Sequence, residues 1–411
     1  MYDKIRETYH DFAPKFWVLI AAVFIDVIGS TLVTPFFALY ITKKFSVGMT
    51  QAGILLGLFS IFGLIGSMVG GALTDKFGRK RIMLFGLVFS ALSTISIGVV
   101  NQLAVMYPLA MFIGLLSSVA GPAHQAMVAD MLPPEKRSEG FGILRVIINL
   151  SWIIGPTIGG LLASWSFLLL FILDAIISLI TAVIVFLLIP ETKPETSAEK
   201  CPESILQTIL DYRLVLRDKI YIGFLVVSML MILVYQQMYN TLSVFLRDVH
   251  HVPAQGFGTL LSINAFCVVL LQIWVMRYTK RCAPMLMMAL GTTCYMIGFT
   301  MYGFVSAYWL FVAAMLFITL GEMIVVPTGQ ALAANFAPED MRGRYMAFYG
   351  LSFSLPATFG PTAAGLILDN YNPNWVWYAG GLICMAAVMG FLGLHLRVSG
   401  QKRFASAPAS I

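Results

Sequence analysis

Residues 70–81, Gly-Gly-Ala-Leu-Thr-Asp-Lys-Phe-Gly-Arg-Lys-Arg, form a short charged connection between two long apolar runs. Gly70 and Gly71 let a helix end lie close against a neighbour. Asp75 is expected to close that helix and Gly78 to permit a tight turn. Arg79, Lys80 and Arg81 hold the connection on the inner side of a membrane.

Outward from this stretch the chain is almost entirely apolar. Of 411 residues, 59% are hydrophobic and 11% charged, against about 25% charged in soluble domains. So few charges cannot make an ordinary solvated surface, and lipid must serve as the solvent. Apolar runs long enough to cross a bilayer lie near 16–41, 48–74, 82–100, 105–131, 139–163 and 166–190, then 220–246, 255–277, 283–305, 307–334, 344–369 and 374–397. The expected fold is an all-α integral membrane protein of twelve transmembrane helices in two pseudo-symmetric six-helix bundles, with both termini cytoplasmic. Residues 1–190 and 220–411 would be the bundles. Residues 191–219 would be a hydrophilic linker with a short amphipathic helix near 203–216. The first fifteen residues are polar and mixed in charge, so no cleavable signal is expected.

The net charge of +6 does not call for nucleic acid. In this topology 22 of the 26 Lys and Arg residues fall on the inner side, as the positive-inside rule requires. The cysteines at 201, 267, 282, 294 and 384 have no CxxC spacing, so they read as apolar packing, without disulfide or metal framework. Neither a phosphate-binding loop nor a nucleophile–base arrangement stands out. An enzyme and an ATP-driven pump are both disfavoured.

The two halves repeat. Pro122, Gln125, Ala129, Pro133 and Arg137 recur 205 positions later as Pro327, Gln330, Ala334, Pro338 and Arg342. Gly86 maps to Gly291, Gly155-Pro156 to Gly360-Pro361, and Gly160 to Gly365. One offset held over this distance implies a duplicated unit, and repeats of this kind in transporters bind substrate between them near mid-membrane. The charged stretch has diverged, since Asp75 maps to Lys280 and Gly78 to Ala283.

Charges at mid-depth are costly and usually functional. Asp26 lies about ten residues into the first helix, with Ser30 and Thr34 on the same face. Glu322 lies about fifteen residues into the tenth. Either carboxyl could exchange protons, or could simply tie two helices through hydrogen bonds. Asp174 sits shallower, with an interfacial or capping role as open as a functional one. His124 could titrate near neutral pH, with a hydrogen-bonded packing histidine the favoured reading. Arg145 needs an anionic partner, which could be Asp130, a carboxylate elsewhere or a substrate, or it snorkels to the inner surface. The 23 methionines and 13% aromatic content suit adaptable binding and equally suit plain packing.

The 70–81 stretch closely resembles the connection between helices 2 and 3 of the major facilitator superfamily. Gly155-Pro156-Thr157-Ile158-Gly159-Gly160 on the fifth helix resembles the signature of that superfamily's drug:proton antiporter branch. One departure stands out: aligning on Gly121 puts Ser117 where the branch carries an arginine, and Glu322 is its repeat mate. The resemblance implies that Asp75, Arg79 and Asp130, with Arg137 on the same inner face, belong to a charge cluster that latches helix 2 to helices 4 and 11. It also implies a cavity lined by helices 1, 4, 7 and 10. Tyr235, Gln236, Tyr239 and Asn240 would then be substrate contacts, alongside Asn149 and Trp152 of helix 5.

These readings converge on a secondary exporter of lipophilic drugs, cationic ones among them, in the plasma (inner) membrane. It would run on the proton gradient through Asp26 and Glu322, with no bound cofactor, as a monomer. A transporter of a defined amphiphile such as a lysophospholipid or glycolipid, or of a small metabolite, stays open. A non-transporting receptor or scaffold fits less well, having no use for titratable groups at mid-depth.

Overall fold

Gly78 is the whole of the break between the second and third helices. Its φ of +98° belongs to a region that L side chains avoid. The helix that begins at Met49 runs on to Phe77, so Asp75 does not close it, contrary to the sequence reading. Nothing between Leu73 and Phe77 breaks a helix, and Asp75 stands in the last turn, four residues before Arg79.

The computed structural model describes residues 12–193, 215–279, 281–338 and 341–398. Among them are twelve helices long and apolar enough to cross a membrane. They are α1 (Pro14–Lys44), α2 (Met49–Phe77), α3 (Arg79–Val99), α4 (Leu103–Asp130), α5 (Glu139–Trp165) and α6 (Phe167–Leu188), then α7 (Lys219–Met238), α8 (Ala254–Thr279), α9 (Pro284–Tyr302), α10 (Tyr308–Phe336), α11 (Arg344–Asn370) and α12 (Trp375–Arg397). Of the expected amphipathic helix near 203–216, only the end is described, and residues 215–217 are helical. Cys201, Lys280 and the side chain of Arg342 lie outside the described residues.

Three spans tighten into a 3-10 turn along their length: α1 at Thr34–Phe36, α4 at Ser118–Ala120 and α7 at Gln236–Met238. In α1 and α4 the cause is local, because Pro35 and Pro122 withhold the N–H that would continue the ladder. In α7 polar side chains compete with it: Gln237 Nε2 donates to Leu233 O and Asn240 Nδ2 to Gln236 O. The run expected as one helix over 220–246 therefore divides, and a separate helix follows at Thr241–His250.

By contacts the chain forms two compact units. One holds residues 1–46, 58–199 and 253–262; the other holds 47–57, 200–252 and 263–411. The first is centred on Phe16, Leu19, Met83, Leu87, Met127 and Val185. In the second, Trp377 is fully buried among Phe245, Phe299 and Tyr302, with ring centroids 5.1, 6.3 and 5.4 Å away. Lipid tails are as apolar as leucine, so close backbone approach must supply cohesion that water supplies elsewhere.

The glycines show where that approach happens. Within the first unit, the start of α8 crosses α5. A Cβ on Gly258 would collide with Pro156 O, and one on Gly160 would stand 2.9 Å from Gln255 Cα. Within the second unit, the start of α2 crosses α11. A Cβ on Gly53 would lie 2.6 Å from the Pro361 carbonyl carbon, and one on Gly365 the same distance from Thr50 N. Adding 205 to Gly53 and Thr50 gives Gly258 and Gln255; adding it to Pro156 and Gly160 gives Pro361 and Gly365. The contacts repeat with the residues.

Candidate functional site

Glu322 stands on α10 in the second unit, and its carboxylate is held from α8. Asn264 Nδ2 donates to Glu322 Oε2 at 2.9 Å and to Thr319 Oγ1 at 2.9 Å. Thr319 spends its own proton on Met315 O, which fixes the hydroxyl as acceptor and so orients the Asn264 amide. Three tyrosines lie within electrostatic range of the acid: Tyr235, Tyr239 and Tyr295. Tyr235 and Tyr239 share a hydrogen bond of 3.1 Å, and the Tyr235 ring stacks on Tyr295 at 5.3 Å. The result is a carboxylate within electrostatic range of three tyrosines. Of the helix 7 residues expected here, Tyr235 and Tyr239 join Glu322. Asn240, in the turn after α7, donates to Gln236 O at the end of that helix, and Gln236 is half-buried. Asn264, Thr319 and Tyr295 were missed. A lone Asn in an apolar run was the available signal for the first.

Asp26 belongs to the first unit and has a companion. Asp174, on α6, is 5% exposed and packs against α3 and α1. Thr94 on α3 donates to Asp174 Oδ2 at 2.8 Å. The other oxygen reaches α1 one turn beyond Asp26, where a Cβ on Gly29 would come within 2.6 Å of Oδ1. Gly29 has no side chain to keep Asp174 away, and the two carboxyl groups are near enough for their charges to act on each other. Ser30 and Thr34 share the Asp26 face as expected, but their hydroxyls donate to Val27 O and Ser30 O of their own helix.

On the basic side, Arg79 gathers the charged stretch. Its guanidinium is bonded through Nε to Asp130 Oδ2 at 3.0 Å, and Nη1 lies 3.3 Å from Asp75 Oδ1, an ion-pair distance. Arg79 is 8% exposed. Asp75, Arg79 and Asp130 thus meet and join α2, α3 and α4, whereas the latch the resemblance implied ran from helix 2 to helices 4 and 11. Arg137 stays apart, donating to Ala129 O at the end of α4. Glu191, just past α6, caps the start of α3 by accepting from Arg79 N at 2.8 Å and from Lys80 N. Burial pushes its carboxyl up, but the backbone N–H groups of Arg79, Lys193, Lys80 and Thr192 together outweigh this and hold it below 4.5.

With Asp130 engaged by Arg79, Arg145 is exposed on α5 and has no acidic partner among the described residues. Asn149 and Trp152 are half-buried on the same helix. Gly155 meets Thr31 and Pro156 meets Gly258, so this signature packs α5 against α1 and α8. His124 differs from expectation, since its Nε2 is buried without a hydrogen-bond partner.

The model of the Major Facilitator Superfamily matches residues 19–256 and 236–410. The chain belongs to that superfamily. A Na(+), Li(+), K(+)/H(+) antiporter of Planococcus maritimus is 26% identical over 397 residues, covering 89% of this chain and 91% of the relative. Quinolone resistance protein NorA of Staphylococcus aureus is 30% identical over 152 residues, 37% of this chain and 39% of NorA. Among solved structures, a variant of the nucleoside transporter NupG superposes with a TM-score of 0.81 at 13% identity, covering 92% of this chain and 99% of that one. The chain is therefore a multi-pass membrane transporter of the Major Facilitator Superfamily, and the proteins it resembles are transporters and not enzymes.

Proposed function

We propose that this transporter exports lipophilic, cationic drugs in exchange for protons, with Glu322 and Asp26 as the proton-carrying groups. The observation that carries the reading is the Glu322 carboxylate held by Asn264 beside Tyr235, Tyr239 and Tyr295. A carboxylate and aromatic faces attract an organic cation together. Neutralising the acid removes the attraction and releases the cation, which couples the two movements. Binding and release alternate as the repeats rock, and a membrane potential contributes about 2.3 kcal/mol per charge per 100 mV. The stretch shared with NorA supports the drug reading. Everted membrane vesicles test it: a cationic dye should accumulate under an imposed ΔpH and stop on adding a protonophore. Dye movement indifferent to ΔpH would overturn the proposal.

A second reading, exchange of an alkali cation for protons, is favoured by one observation. The buried Asp174 and Thr94 with the half-buried Asp26 offer a set of oxygen donors, the ligand type that hard cations prefer. The long match to the Planococcus antiporter fits it. In the same vesicles, Na+ or K+ that dissipates the ΔpH without any dye present would select this reading.

A further inference from the structure

Four cationic side chains converge on one cavity at the basic end of the first unit, and neither proton exchange nor substrate release uses them. Lys76, Lys80, Arg81 and Lys193 line a space of about 450 Å³ together with Phe77, Phe186 and Glu191. Scattered lysines would serve topology equally well, but two of these are pinned. Lys80 Nζ donates to Phe186 O at 2.8 Å, and Lys193 Nζ to Lys76 O at 2.9 Å. An ammonium has three donors, so each keeps two for another acceptor. Glu191, the acid among the lining residues, offsets one of the four charges while its oxygens accept the backbone N–H groups that open α3, so the lining keeps a positive excess. Asp75 and Asp130 face Arg79 instead.

What surrounds the cavity indicates where its ligand comes from. Phe77 and Phe186 are 46% and 63% exposed, and the ammonium groups of Lys76 and Lys80 lie 5.3 and 5.5 Å from their ring centroids. α3 and α6 pack side by side, and beyond the cavity they present Phe85, Val88, Val183 and Leu187 outward. The cations therefore sit at the edge of an apolar, lipid-facing strip, at headgroup level on the side with most of the basic residues. We propose that this cavity binds the phosphate headgroup of an anionic phospholipid, whose acyl chains lie along the exposed faces of α3 and α6. A soluble phosphate would have no use for that strip.

The test uses the full-length protein in detergent, with retained lipid read by native mass spectrometry. Phosphatidylglycerol should be retained over phosphatidylcholine in the wild type, and a large excess of inorganic phosphate should not displace it. Arg81→Gln with Lys193→Gln touches neither the Arg79 cluster nor Glu322. It should weaken phosphatidylglycerol retention roughly 25-fold, at about fivefold per cation. Equal retention of the two lipids by the wild type, which needs no variant to fold, would overturn the proposal. So would unchanged retention by a folded double variant. Displacement by inorganic phosphate would show a free-anion site and overturn the lipid assignment.

Discussion

Asn264 Nδ2 donates to Glu322 Oε2 across 2.9 Å, joining α8 to α10 through one side-chain amide. Hydrogen bonds to charged groups are worth about 1.5–3 kcal/mol, so Asn264→Ala should cut proton-driven efflux by about tenfold or more. Asn264→Ala also leaves Thr319 without its donor, so expression and detergent melting should be measured beside transport. Glu322→Gln keeps the shape of the site and removes the charge. It should abolish ΔpH-driven efflux. Efflux by Glu322→Gln at the wild-type rate would remove Glu322 from the mechanism.

Gly29 and Asp174 make a second pair that a small change can separate. Gly29→Ala places a methyl group 2.6 Å from Asp174 Oδ1, which forces the carboxyl away from α1 or strains its bond to Thr94. Overpacking of this kind costs about 1–3 kcal/mol. A lowered melting temperature in detergent is expected, with proton exchange reduced as well. Thr94→Val should reduce exchange too, without adding bulk on α1.

The two aspartates that flank Arg79 should behave differently. Arg79 is 8% exposed, and Arg79→Gln removes its charged hydrogen bond to Asp130, whose side chain is 22% exposed, at a cost of about 1.5 kcal/mol. Asp75 has a side chain 72% exposed, so its pair with Arg79 contributes at most about 1 kcal/mol. Asp75→Asn should therefore leave melting almost unchanged. A gating role predicts that it slows turnover while substrate binding persists. Unaltered transport by Asp75→Asn would reduce the pair to a surface contact.

Glu191 gives stability a pH dependence of known sign. Its folded-state pKa lies below 4.5, so it binds protons less readily folded than unfolded. Its contribution is full above pH 4.5 and is lost as pH falls through the folded value. Melting temperature in detergent should decline in that acid range. Glu191→Gln should show a flatter decline there, with a lower starting point at neutral pH.

Asp369 tests the repeat. Its carboxylate accepts Met49 N and Thr50 N, each at 2.8 Å, and so caps the start of α2 from the end of α11. Subtracting 205 gives Ser164, whose hydroxyl bonds to Leu161 O on its own helix. Losing a cap costs about 0.5–2 kcal/mol. Asp369→Ala should lower the melting temperature, and Ser164→Ala should not.

The spans and the repeat were legible because glycine, proline and long apolar runs have few uses in a membrane. Gly155-Pro156 pointed to close packing and is found against Thr31 and Gly258. The charged stretch was legible for the same reason, since Asp75, Arg79 and Asp130 had to find partners. What stayed hidden was pairing across helices. Asn264 lies 58 residues from Glu322, and no periodicity connects them. Counting along one helix could not show that Asp174 faces Thr94 and the space that Gly29 leaves open. The end of α2 was misplaced for a similar reason: an acid that serves Arg79 four residues on looks, in sequence, like a cap.

Gly53 against Pro361 and Gly258 against Pro156 are the same junction made twice by one chain. A perturbation at either can be read against its twin, in the same bilayer and at the same expression level. Where the twins respond unequally, the difference must come from what the copies no longer share, and Asp369 opposite Ser164 is the first such place to look.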